Sequence, residues 1–119
     1  MRLFLMVIAL VTFTVSCKYG VTDINGVPAN PTYEHDVHPL YADHCLVCHS
    51  SPPDRGAPNY FRLDVYDDTN GILGAMSMAA AALSDVKSGR MPPAAKDGDG
   101  VGPNGLALLT KWVDDGAPQ

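Results

Sequence analysis

Cys45-Leu46-Val47-Cys48-His49 is the stretch on which the reading of this chain turns. A Cys-x-x-Cys pair alone is compatible with zinc, with a redox disulfide or with covalently attached haem. The histidine directly after the second cysteine points to haem c. Two thiols at this spacing on a helical turn can add to the two vinyl groups on one edge of a porphyrin. The adjacent imidazole then lies under the iron as its proximal ligand. Cys45 and Cys48 are thus candidate attachment residues, and His49 is a candidate iron ligand.

Haem of this kind is attached outside the cytoplasm, so an export signal is expected upstream. Met1-Arg2 forms a short positive start, and Leu3 to Val15 is apolar except for Thr12 and Thr14. That run is too short to span a bilayer comfortably and fits the apolar part of a signal peptide. It ends at Ser16-Cys17, and Phe13-Thr14-Val15-Ser16-Cys17 resembles a bacterial lipoprotein box, with Thr14 where leucine is usual. Residues 1–16 are therefore expected to be removed and Cys17 to be lipidated, anchoring the protein on the periplasmic side of a bacterial membrane. An ordinary signal peptide cut nearby, with Cys17 incidental, is the alternative.

The three cysteines divide cleanly between these tasks: Cys17 for lipid, Cys45 and Cys48 for haem, none for a structural disulfide. Residues 17–32 contain four Gly or Pro residues and no sustained apolar period, and read as a flexible tether. Residues 33–119 then form one small domain. So short a chain buries a limited core alone, and a largely apolar porphyrin would supply much of the missing centre. The formal net charge is −5, and loss of the leader with Arg2 makes it more negative. This argues against nucleic acid as a partner and allows docking on a basic patch of a redox partner.

Three helices are predicted in the domain. The first runs from about Asp36 to Cys48, with Asp36 as N-cap and Pro39 in the first turn. Val37, Leu40, Tyr41 and Cys45 share one face of it. The second covers about Thr69 to Val86, with Gly71 and Gly74 near its start and Lys87-Ser88-Gly89 as its C-terminal cap. The third runs from about Pro103-Asn104 to Asp115, with Leu106, Leu109 and Val113 along its apolar stripe and Trp112 beside it. No strand pattern of useful length occurs, so the expected class is all-α.

The sixth iron ligand decides between carrier and catalyst. Met91, in Gly89-Arg90-Met91-Pro92-Pro93, is the candidate: its soft thioether favours ferrous iron, and the two prolines fix the backbone after it. Met76 and Met78 lie in an Ala-rich helical stretch, where methionine more often fills core. His44 is too close to Cys45 to reach the opposite haem face, and His35 and His38 are expected to be exposed or packing residues.

With these residues in place, the domain resembles a class I cytochrome c over about Tyr33 to Gln119. The resemblance rests on Cys45-x-x-Cys48-His49, Tyr41 four residues before the first cysteine, Met91-Pro92-Pro93 and a terminal helix with Trp112. Within that group it is similar to exported bacterial cytochrome c domains, through Asp36-Val37-x-Pro39-Leu40, Arg90-Met91-Pro92-Pro93 and Trp112-Val113-Asp114-Asp115-Gly116-Ala117-Pro118. It implies a small fold of about three to four helices around one covalent haem, with Tyr41 and Trp112 near the crossing of the first and last helices. It also implies a proline carbonyl accepting the proximal histidine's Nδ1–H; Pro58 is nearest by spacing, with Pro52 and Pro53 as competitors. The segment from Asn59 to Thr69 has no counterpart. Tyr60, Arg62 and Tyr66 in it could bind propionates or lie on the surface.

The implied function is one-electron carriage between extracytoplasmic redox partner proteins, with His49 and Met91 saturating the iron and no substrate transformed. The alternative is a haem-based gas sensor or peroxidase-like enzyme with an open or labile sixth site. Only Lys87, Arg90 and Lys96 supply polar cations near Met91, and no acid–base pair is evident there. A zinc site at Cys45 and Cys48 lacks a second ligand pair at recognisable spacing. Asp97-Gly98-Asp99-Gly100 resembles the start of a calcium loop, but Leu108 stands where a bidentate glutamate is required, so an exposed turn is the expectation.

Overall fold

A computed structural model describes residues 26–93 and 100–119. The leader, the lipid candidate Cys17, most of the tether, Lys96 and the Asp97–Asp99 turn lie outside the described residues. Three α-helices carry the fold: α1 (His38–His44), α2 (Ala75–Lys87) and α3 (Gly102–Asp114). A π-helical turn, Tyr33–Val37, leads into α1. Among the described residues there is no sheet, only the isolated bridges Phe61 to Leu73 and Thr69 to Ile72. The all-α expectation holds. Among them, too, no helix is long and apolar enough to cross a membrane.

The first helical segment begins earlier than Asp36 because two side chains cap it reciprocally. Thr32 Oγ1 accepts the His35 N–H, and the Asp36 carboxylate accepts the Thr32 N–H at 2.8 Å. Thr32, not Asp36, is the N-cap. Pro39 sits in the first turn of α1, where its missing N–H costs nothing. Packing also starts before Tyr33, since Val27 and Pro31 are buried. The helix ends at His44, so Cys45 to Cys48 lie in turns rather than on the helix.

Helix α2 starts at Ala75, later than its composition suggested. Thr69 and Ile72 exchange backbone hydrogen bonds across a tight turn, and Gly74 gives its N–H to the Asp68 carboxylate at 2.8 Å. Those bonds hold Gly71 and Gly74 outside the helix. Its end is as predicted, with Ser88 as C-cap and Gly89 at φ +72°. Helix α3 closes with a Schellman arrangement: the Gly116 N–H reaches Val113 O and the Ala117 N–H reaches Trp112 O.

The core is the meeting place of the three helices. Tyr33, Val37 and Tyr41 face Leu109 and Trp112, with Leu63, Ala75, Ala79 and Leu83 completing it. Removing a side chain such as Leu109 from water contributes about 1.5–3 kcal/mol. Tyr41 meets Trp112 edge-on, with ring centroids 6.5 Å apart and planes at 88°. The C-terminal tail is fastened over this layer. Trp112 Nε1–H donates to Pro118 O, the Tyr33 N–H donates to the same carbonyl, and Tyr66 Oη–H donates to Ala117 O. On α3, Gly105 lies against Leu40 of α1, where an added Cβ would come within 3.1 Å of Leu40 Cδ1.

Candidate functional site

The Cys45–His49 segment leaves α1 as tight overlapping turns. Cys45 and Leu46 both donate to Tyr41 O, and Cys48 and His49 both donate to Cys45 O, at 2.7–3.1 Å. This winding leaves both cysteines half-buried, and buries His49 to 8% exposure. A cavity of about 140 Å³ opens beside them, walled by His44, Cys45, Cys48 and His49, by the loop Arg55–Pro58, and by Met91–Pro93. A smaller hollow of about 50 Å³ lies on the α2 side, where Tyr41, Phe61, Met78, Ala82, Asp85 and Val86 contribute. Cys45, His49 and Met91 line both.

Met91 is brought there by the end of α2. The Arg90 and Met91 N–H groups both donate to Asp85 O, at 2.9 and 3.1 Å, so the chain turns back under its own helix. The Asp85 carboxylate pairs with Arg90 at 2.5 Å. Both of those side chains are substantially exposed, so the backbone bonds are the main restraint on Met91. Pro92, after a cis peptide bond, is buried.

Burial pushes the His49 imidazole below its ordinary pKa, with Asp85 opposing the shift. The side chain is thus held in the neutral form that binds metal. Its ring stacks on Phe61, with centroids 4.9 Å apart and planes 22° apart. Its Nδ1 is buried and has no hydrogen-bond partner. Pro58 does line the cavity, unlike the exposed Pro52, but the proline-carbonyl bond implied by the resemblance is not made.

Other candidates are placed differently from their expectations. Met76 is 50% exposed and is not core filler, whereas Met78 packs against the core. Arg62 forks onto the Asp64 carboxylate, and the Tyr66 hydroxyl is committed to Ala117 O, so both are structural. Tyr60 is 57% exposed. His35 is exposed, and His38 packs edge-on to Tyr33 at 5.5 Å. Among the described residues no three His, Cys, Asp or Glu side chains gather as a metal-holding group, so the zinc reading gains no site.

Sequence reasoning missed Phe61, Asp85 and the Arg55–Ala57 wall. Asp85 carried one usable signal, its position on the last turn of a helix shortly before Met91. Phe61 carried none, because its contact with His49 joins two separate turns that no helical or strand spacing relates. No known protein family, curated protein or solved structure matches this chain.

The donor set fits a covalent haem. Two neighbouring cysteines, a buried neutral imidazole and a thioether border a common cleft lined mainly by apolar groups. The sealed Nδ1 leaves Nε2 as the ring nitrogen available to a metal.

Proposed function

We propose that this chain is an exported one-electron carrier holding a single haem c in the manner of a class I cytochrome c. The observation that carries the reading is the convergence of His49 and Met91, distant in sequence, on the cleft that Cys45 and Cys48 border. Cys45 and Cys48 would hold the group by thioether bonds, and His49 and Met91 would supply the ligands to its iron. Bound there, haem supplies a one-electron couple that needs no substrate chemistry from the protein.

The remaining residues then have definable work. Helix α2 and its Asp85 carbonyl hold the Met91 backbone, which keeps a soft neutral donor facing the cleft. Tyr41, Leu63 and Val86 give the inner side a mainly apolar lining. Both features favour the reduced, less charged state and a raised potential. The acidic surface suits a basic face on a redox partner, and a lipidated Cys17 would keep the domain at the periplasmic face of its membrane.

Anaerobic titration of the mature protein with a one-electron reductant, followed by carbon monoxide, tests the proposal. A carrier takes up one electron per haem and leaves the carbon monoxide unbound. Rapid carbon monoxide binding by the reduced protein would instead make it an open-site sensor or enzyme.

A further inference from the structure

A metal-ligating imidazole must be held in one rotation about its Cβ–Cγ bond, usually by a hydrogen bond from the ring nitrogen remote from the metal. In this chain that restraint is missing, because His49 Nδ1 is buried with no partner. What touches the ring instead is the face of Phe61, 4.9 Å away and within 22° of parallel. Near-parallel stacking restricts rotation of both rings, since turning either drives an edge into the other's face.

Phe61 is itself held in register with His49. The Leu63 N–H donates to His49 O at 2.8 Å, tying the segment after Phe61 to the histidine's own backbone. On the other side, Arg62 N–H donates to Leu73 O and Leu73 N–H donates to Tyr60 O, both at 2.9 Å. These bonds bracket Phe61 between α2's approach and the His49 turn. The backbone that carries the ring is therefore fixed by main-chain hydrogen bonds independent of any group in the cleft.

We infer that Phe61 is the positioning residue for the His49 imidazole, setting its rotation by stacking where no Nδ1 hydrogen bond does so. The inference rests on the haem reading above. It assigns Phe61 no contact with a partner or substrate; the residue acts through His49.

The test compares the oxidised mature protein with Phe61→Leu and Phe61→Tyr by paramagnetic proton NMR. The order and spread of the haem-methyl resonances report the orientation of the axial imidazole, which a purely structural core residue would not move. Phe61→Leu, which keeps apolar bulk and loses the ring, is expected to reorder or compress that pattern, while Phe61→Tyr retains it. If Phe61→Leu does not mature, Phe61→Met is read in its place. A wild-type pattern in the ring-less variant overturns the positioning role and leaves the carrier reading standing. Absence of covalent haem from the wild-type protein overturns both.

Discussion

Replacing Tyr41 by Phe should stabilise this protein, although Tyr41 is among its most deeply buried residues. The ring is 1% exposed and packs edge-on against Trp112, and Phe keeps every one of those contacts. The hydroxyl, however, is buried with no hydrogen-bond partner. Burial first, then the neighbouring Cys45 and Tyr33, push the phenol well above its ordinary pKa, so ionisation offers no relief. An unsatisfied buried hydroxyl costs about 1–3 kcal/mol. The space vacated by one oxygen is smaller than a methyl group, whose loss would cost about 1 kcal/mol. The balance favours Phe by about 1–2 kcal/mol. In a domain of this size each kcal/mol moves the melting temperature by about 4–8 °C. Thermal unfolding of wild-type and Tyr41→Phe protein, with urea melts to check that the slope is unchanged, measures it. A lower melting temperature for Tyr41→Phe would refute the reasoning, because the hydroxyl would then have a partner to lose.

Three further outcomes follow from the packing and the site. The Tyr33 phenol, buried and beside Asp64, is pushed up to about 12 and donates to Leu63 O at 2.9 Å. Its contribution to stability is therefore complete below pH 10, the phenol's ordinary value, and is lost as pH rises through about 12; melting in Tyr33→Phe should fall less steeply across that window. At Gly74 a Cβ would sit 2.5 Å from Asp67 O and closer still to Tyr66 O, both backbone atoms that cannot swing aside, so Gly74→Ala should cost about 1–3 kcal/mol in urea unfolding. Arg90→Ala removes only an exposed ion pair and should cost less than about 1 kcal/mol while leaving any methionine–iron absorption intact, whereas Met91→Ala should abolish that absorption and let the reduced protein bind carbon monoxide.

Local signals made much of this structure legible from residue order. The end of α2 followed from Ser88 and Gly89; of the stripe expected on α3, Leu109 is buried, Leu106 and Val113 are partly buried, and Trp112, expected beside the stripe, lies at the centre of the core. The Cys-x-x-Cys-His signature and the Met91-Pro92-Pro93 loop marked Cys45, His49 and Met91 as partners, and the three border one cleft. The misplacements share a cause, competition from hydrogen bonds that periodicity does not encode. Thr32 and Asp36 cap each other and move the first helical segment back to Tyr33, while Asp68 and the Thr69–Ile72 turn hold α2 off until Ala75. The Phe61–His49 stack and the orphaned Nδ1 depend on a contact between separate turns, for which neither residue type nor spacing carried a mark. Met76 points outward because α2 shows only one face to the core, the face bearing Ala75, Ala79 and Leu83.

Absorption spectra of the mature, exported protein, oxidised and then reduced in alkaline pyridine, test the central claim most directly. The account predicts the reduced band of a doubly thioether-linked haem together with a methionine–iron band in the oxidised near-infrared. Haem without the methionine band would contradict Met91 ligation, and a protein carrying no covalent haem would contradict the account as a whole.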